Sequence, residues 1–469
     1  MKILLVQPPH DYEGGSRNPS FFPLGLGYIV NPLLKSGYNV EILDIWAHQY
    51  SKEEVVERIQ KLDYDVVGIS AISTQYAYTK WLTSQFKKYN QKGRIVIGNA
   101  LATLSPEIVL NHTQTDVCVI GEGEITFKEV VENIDRLENV DGIYFKKEGK
   151  IIKNRPRKYI ENLDTIEFPA WDFFPTDIYL KNCLIPGHSD IKTMNIIVGR
   201  GCPYSCRFCS KTFKGVRLRS VDNIIQEIKE LIKRYKTGGI FFNDELVVIN
   251  KERIYDLCRK IKPLNLKWIC QGRVNLVDYD LLKNMAESGC VAVGYGVESG
   301  SQTILNNMNK QITLEQSEQA IKDTIKAGMR PVAQMMYGYP GETKKTLQET
   351  INFFKRVPYL GYISLSITTP LPGTELYDYS LEKGLIEDEE KYLSHLSGGY
   401  MSDGRHAFIN FTNFAQRDFY RLKLETETKI FLNEIRKLPL RSILSYLWKN
   451  KTAKLKIIIK KISVFFVSN

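Results

Sequence analysis

Residues 194–211 read MNIIVGRGCPYSCRFCSK. The apolar run MNIIV (194–198) stops at Gly199, and thiols follow at Cys202, Cys206 and Cys209. Spacings of four and three residues let a single loop turn all three sulfurs toward one centre. Soft thiolates of this kind take an iron–sulfur cluster or zinc. A [4Fe–4S] cube normally takes four cysteines, so three from one loop leave one iron open to a small chelating ligand. A structural zinc site needs a fourth ligand nearby. No His or Cys lies between residues 210 and 257, so that ligand is missing locally.

The same run opens a series. Further short apolar segments follow at GIFF (239–242), LKWICQ (266–271), VAVGYGV (291–297), RPVAQMMYG (330–338) and ISLSITT (363–369). Helical patterns such as Val221–Tyr235 and Leu314–Ala327 lie between them. Strands alternating with helices predict a parallel sheet, and six such units fall short of a closed eight-fold barrel, so a partial (β/α)6 barrel is expected. The segments after the strands are the unusual ones: the cysteine loop, NDE (243–245), GRVN (272–275), ESGS (298–301), YPGET (339–343) and PLPGTELY (370–377). In a parallel barrel they converge on the face where active sites sit.

Toward the N-terminus, KILLVQ (2–7), NVEILD (39–44), VVGIS (66–70), RIVIGN (94–99) and VCVIGEG (117–123) form an earlier βα series. Amphipathic stretches such as Glu53–Leu62 separate them. Residues 1–135 therefore predict a flavodoxin- or Rossmann-like α/β domain, whose ligands bind beyond the carboxyl ends of its strands. Residues 136–193 predict a hairpin turning at Glu148-Gly149 and then a proline-bearing linker. The barrel occupies 194–390, and 391–469 is a helical region ending in a basic tail.

The bulk numbers narrow the class. The chain has 469 residues and eight cysteines, five of them scattered, which suits reduced thiols in a cytoplasm rather than a disulfide scaffold. The net charge is +11, but nine Lys or Arg and no acid follow Glu434, leaving about +2 for the rest. The basicity belongs to the tail, so no nucleic-acid partner is expected. From Ile443 to Phe466 apolar residues (Leu444, Leu447, Trp448, Leu455, Ile458, Ile459, Ile462, Phe465, Phe466) recur at helical spacing, with lysines largely between them. Such a helix either docks on the protein's own body or lies on an anionic membrane surface, where the substrate is then lipid-like.

CPYSCRFC matches the C-x3-C-x-aromatic-C signature of the radical S-adenosylmethionine (SAM) superfamily, and the chain resembles that superfamily in placing it after the first strand of a βα series. The resemblance implies a [4Fe–4S] cluster on Cys202, Cys206 and Cys209, with SAM on the open iron. It also implies reductive cleavage of SAM to a 5′-deoxyadenosyl radical, and a one-electron reductant protein as partner. It places Phe208 near the adenine and Asp244 or Glu245 at the amino group of SAM. Arg273 falls at the SAM carboxylate and Glu298 at the ribose. Pro340 and Gly341 then shape a turn, while Glu342 can line the substrate cavity.

The first domain resembles that of the cobalamin-binding radical SAM family. FPLGLGYIVNPLLKSGYNVEILD (22–44), GEGE (121–124) and LDTIEFPAWDFF (163–174) carry the likeness. The cobalt-ligating pattern Asp-x-His-x-x-Gly is absent; neither His10 nor His48 has its spacing. GNALAT (98–103) stands where that family usually shows Gly-Gly-Pro-His-Ala-Thr. The resemblance implies cobalamin and, from it, methyl transfer to an unactivated carbon of a small-molecule or lipid-like substrate. The alternatives are radical cyclisation, rearrangement or oxidation without methyl transfer and, from another class, a zinc-stabilised binding protein. A methylthiotransferase needs a second cluster on N-terminal cysteines, and no cysteine precedes Cys118.

Overall fold

KILLVQ forms β1 (Lys2–Gln7), buried at every position after Lys2. β2 (Asn39–Asp44), β3 (Val66–Ser70), β4 (Arg94–Gly98) and β5 (Val117–Val119) follow, all parallel. Their Val- and Ile-rich sequences reflect burial on both faces of a parallel sheet. The structure, a computed structural model, describes residues 1–10, 18–183, 185–360, 363–396 and 409–438. The amphipathic tail read from Ile443 to Phe466 lies outside the described residues.

The first sheet has seven strands, ordered β2-β1-β3-β4-β5-β6-β7. β6 (Ile143–Lys147) and β7 (Lys150–Lys153) are the expected hairpin, and they add antiparallel to β5. The turn has left-handed backbone at Glu148 (φ 51°) and Gly149 (φ 75°), as a type I′ turn requires. The hairpin thus extends the sheet that the sequence pattern ends at residue 135. The order 2-1-3-4-5 puts the topological switch point between β1 and β3.

Six further strands follow, β8 (Thr193–Ile196), β11 (Gly239–Phe242), β12 (Lys267–Gly272), β13 (Cys290–Glu298), β14 (Arg330–Tyr337) and β15 (Ile363–Ile367); β8 pairs parallel with β11, and β12 to β15 pair parallel in sequence. A short antiparallel ribbon, β9 (Gly199–Arg200) with β10 (Arg217–Leu218), intervenes and brackets the cysteine loop. The helices Val221–Tyr235 and Leu314–Lys326 occur where the periodicity predicts them. Ser220 caps the first through the Asn223 N–H, and Thr313 forms a capping box with Gln316 on the second.

The chain divides into two compact units. Among the described residues, the first comprises those within 1–203, 208–245 and 370–396, and the second those within 204–207, 246–369 and 409–438. Within the first, β8 pairs with β11. Within the second, β12, β13, β14 and β15 pair in that order. The helix Gln416–Arg436 packs on β14 there: Phe419 stacks edge-on against Tyr337 at 4.9 Å, and the Tyr337 hydroxyl donates to the Phe419 carbonyl at 2.6 Å. Among the described residues no helix is long and apolar enough to cross a membrane.

Candidate active site

Cys202, Cys206 and Cys209 sit half-buried on the loop between β9 and β10, while Cys118, Cys183, Cys258, Cys270 and Cys290 are buried. No cysteine is paired in a disulfide among the described residues. Burial pushes Cys183 up to about 12 and Cys258 up to about 11, so both stay thiols at neutral pH. The three reachable thiols are the ones the sequence singles out. Among the described residues no three His, Cys, Asp or Glu side chains are already gathered around an ion position. The donor set, three reduced thiols on one short loop, fits an iron–sulfur cluster by its chemistry.

Asp244, at the end of β11, uses both carboxylate oxygens on backbone. Oδ1 accepts from the Val198 and Gly199 N–H groups at 3.0 and 2.7 Å, and Oδ2 accepts from Val198 at 2.9 Å. The acid read as a candidate for the SAM amino group therefore fixes the exit of β8 toward the cysteine loop. Its neighbour Glu245 is exposed, yet desolvation of its carboxyl raises its pKa above the ordinary range against the pull of Lys211. Phe208 is half-buried.

In the second unit the structure brings together Tyr204, Cys206, Arg273, Glu298 and a residue the sequence did not single out, Lys310. Arg273 is buried, with its guanidinium 3.6 Å over the Tyr204 ring. Its Nη1 donates to Cys206 Sγ at 3.9 Å, its Nε donates to Asn275 Oδ1 at 2.9 Å, and its Nη2 donates to the Lys310 carbonyl. Glu298 ends β13 at a register shift, with φ +65°. Such backbone in a non-glycine residue is strained and is characteristic of functional sites. Its Oε1 accepts from Lys310 Nζ at 2.7 Å in a buried pair. Gly296 makes room for that pair: a Cβ there would stand 2.3 Å from Glu298 Oε1 and 2.7 Å from Lys310 Nζ.

The turn carrying Lys310 also receives the cysteine loop. The Arg207 N–H donates to the Met308 carbonyl at 3.0 Å, and Asn309 Nδ2 donates to the Ser205 carbonyl at 2.8 Å. Left-handed backbone at Asn309 and Gln311 shapes this turn. The sequence signal was NMNKQ (307–311), mostly polar residues able to adopt that conformation, but their partners lie about a hundred residues away. Glu342, in the loop after β14, is buried; its carboxyl rises to about 8 by desolvation and accepts from the Gly338 N–H at 2.5 Å.

At the carboxyl edge of the first sheet the loops are tied together. Gln75 Nε2 donates to the Pro8 and Pro9 carbonyls at 3.2 and 3.1 Å across the switch point. Asn99, with φ +71°, donates to Ser70 Oγ at 3.1 Å, and Thr103 Oγ1 accepts from the Gly121 N–H at 3.0 Å. Beyond its chain neighbours no atom lies within 4 Å of where a Cβ on Gly98 would be, so this edge is open there, as a bulky corrin would need. His10 lies edge-on to Trp46 at 5.3 Å, and burial lowers its pKa to about 4, keeping the imidazole neutral. His48 stacks on Tyr50 instead. In the GEGE segment, Glu122 and Glu124 are buried in ion pairs with Arg200 and Arg217.

Comparison with known proteins agrees with both halves of this geometry. The family model of the Radical SAM superfamily matches residues 196–354, and that of the B12 binding domain matches residues 14–131. An uncharacterized methyltransferase of Pyrococcus horikoshii is 34% identical over 400 residues, covering 82% of this chain and 84% of the relative. An anaerobic magnesium-protoporphyrin IX monomethyl ester cyclase of Rubrivivax gelatinosus is 29% identical over 84% of this chain and 72% of its own. In fold, the chain is similar to a radical SAM methyltransferase of Kitasatospora setae solved with cobalamin and a [4Fe–4S] cluster. The TM-score is 0.66 at 16% identity, covering 82% of this chain and 75% of that one.

Proposed function

Because this chain belongs to the Radical SAM superfamily and carries a B12 binding domain, we propose that it is a cobalamin-dependent methyltransferase acting on an unactivated carbon. Residues 1–135 serve as the cobalamin-binding-like domain and 194–390 as the radical SAM partial barrel. The observation that carries the radical SAM part of this reading is the contact of Arg273 with both Cys206 and Tyr204, which joins a thiol of the signature to the end of a barrel strand; the B12 binding domain match and the methyltransferase relative support the rest. When bound, the cluster would supply the electron for reductive cleavage of SAM, and cobalamin would supply a methyl carrier.

The chain's own residues bind and orient. Cys202, Cys206 and Cys209 hold the cluster. Arg273, its donors fixed by stacking on Tyr204, meets the SAM carboxylate. Glu298 takes the ribose hydroxyls, Glu245 the amino group and Phe208 the adenine. Asp244 keeps Val198 and Gly199 in place beneath the loop. The similarity to a cyclase supports a second reading, radical cyclisation or oxidation without methyl transfer. Family membership sets aside the zinc-stabilised binding protein.

The test is anaerobic reconstitution followed by metal analysis. Wild-type protein should hold about four irons per chain, and the variant with Cys202, Cys206 and Cys209 all changed to Ala should hold none. Full iron in the triple variant rules the assignment out. Protein supplied with hydroxocobalamin should copurify with a corrinoid that shows no histidine-on spectrum. We place the enzyme in the cytoplasm, with a one-electron reductant protein as partner and a small molecule as substrate. The sequence of the tail supports peripheral contact with an anionic membrane and a lipid-like substrate. Full-length protein should then float with anionic vesicles, release at high salt, and lose binding when it ends at Glu434.

A further inference from the structure

The GEGE segment has no role in the chemistry proposed above, yet both of its acids are buried. Glu122 Oε1 accepts from Arg200 Nη1 at 2.6 Å and from Arg217 Nη1 at 2.8 Å. Its Oε2 accepts from the Ile160 N–H at 2.7 Å, while Arg217 Nη1 donates also to the Ile160 carbonyl at 2.6 Å. Glu124 Oε1 accepts from Arg200 Nη2 at 2.5 Å. The side chains of Arg200, Glu122 and Glu124 are no more than 10% exposed.

What these arginines do is set by their place in the chain. Arg200 and Arg217 are register partners across the β9–β10 ribbon, so two like charges face each other at the base of the cysteine loop. Like charges directly opposite destabilise a strand pair. Glu122 bridges them and removes that penalty. One step beyond, Gly201 (φ +85°) lies so close to the other foot that a Cβ on it would stand 2.2 Å from the Gly215 carbonyl oxygen. Both feet of the loop are therefore pressed together where the acids grip them.

We propose that Glu122 and Glu124 are positioning residues: an acidic clamp from the first domain closes the base of the loop that carries Cys202, Cys206 and Cys209 and keeps it shaped for its cluster. This rests on the cluster assignment above. It assigns to a segment of the cobalamin-type domain a duty toward the iron–sulfur site, acting through Arg200 and Arg217 rather than by contact with either cofactor. Glu122, which meets both arginines, matters more than Glu124, which meets one.

The test uses the full-length chain as wild type, Glu122→Gln, Glu124→Gln and the control Glu129→Gln, which breaks the Arg157 pair on the same helix, Gly123–Glu132, without touching the ribbon. Glutamine keeps the shape and removes the charge. Hydrogen exchange of the unloaded proteins should show amides of residues 199–203 and 208–218 exchanging about tenfold faster in Glu122→Gln, with a smaller change in Glu124→Gln and none in the control. The strands β1 to β5 should keep their protection. Iron retained after anaerobic reconstitution should fall in the same order. Unchanged exchange of the loop feet in both ribbon variants overturns the proposal. So does loss of protection throughout the seven-stranded sheet, which would make the acids supports of the domain alone. If Glu122→Gln does not fold, Glu124→Gln decides. Failure of the wild type to take iron would count against the cluster assignment, whereas the exchange data would still judge the clamp.

Discussion

At Glu122 every carboxylate oxygen is spent on the protein itself, on two arginines and a backbone N–H. At Glu298 the protein spends one oxygen on Lys310 and holds the backbone at φ +65° to do so. Both acids are buried, and both end or follow a strand at the carboxyl edge of a parallel sheet. The difference lies in saturation and strain. A saturated, unstrained acid has nothing left to offer a ligand and works as a brace. A strained acid with an unused oxygen, paired on its other oxygen with Lys310, is set to take a ligand as well. Arg273 belongs with Glu298: its stacking and backbone contacts fix its orientation, and one of its donors already reaches a thiol.

This contrast can be broken at Arg273 first. Arg273→Ala should weaken SAM binding roughly 100-fold, because a charged, pre-oriented hydrogen-bonding group is lost. Arg273→Lys should recover little of it, since an ammonium group cannot reproduce the planar fork. Equilibrium binding of SAM to the iron-loaded protein measures both. Binding unchanged in Arg273→Ala would remove this residue from the site.

A smaller effect is expected at the strained acid. Glu298→Gln combined with Lys310→Met replaces a buried ion pair by neutral groups of similar volume, which should change stability by no more than about 1–2 kcal/mol. SAM affinity should nonetheless fall about tenfold with the loss of a charge-assisted hydrogen bond. Glu122→Gln should behave in the opposite way, loosening the feet of the cysteine loop about tenfold in hydrogen exchange because it leaves buried arginine charge uncompensated, with β1 to β5 still protected. Hydrogen exchange beside SAM binding separates the two. Equal exchange at the loop feet in the two variants would erase the distinction between brace and ligand.

The smallest effect concerns Glu342, whose buried carboxyl rises from 4.5 to about 8. A raised folded-state value means stability that is complete below pH 4.5 and is lost as pH rises toward 8, since the unfolded chain ionises first. Glu342→Gln carries no such charge. The thermal midpoint of the wild type should drop relative to the variant by a few degrees between about pH 5 and pH 8. Parallel profiles would show that the carboxyl does not stay protonated in the folded protein.

Much of this molecule could be read from local sequence. The strands announce themselves by short Val- and Ile-rich runs, and the cysteine loop by three thiols on one turn of chain. The turn at Glu148-Gly149 follows from residues that tolerate left-handed backbone. Three features were not legible, each for lack of a local signal. Lys310 reads as one more surface lysine until β13 carries Glu298 to it. Arg200 and Arg217 read as loop charges, because the acids that hold them lie about eighty and ninety-five residues away. The hairpin Ile143–Lys153 was legible, but its joining to β5 to complete the first sheet was not, since antiparallel pairing at a sheet edge leaves no periodic trace. The resemblance pointed to Asp244; only the tertiary structure reveals that its oxygens hold backbone.

The decisive measurement is 5′-deoxyadenosine. Iron-loaded protein mixed anaerobically with SAM, a low-potential reductant and hydroxocobalamin should release 5′-deoxyadenosine and methionine in equal amounts. The variant with Cys202, Cys206 and Cys209 changed to Ala should release neither above background. Protein that holds about four irons per chain and binds SAM, yet forms no 5′-deoxyadenosine, would contradict radical SAM chemistry at this site.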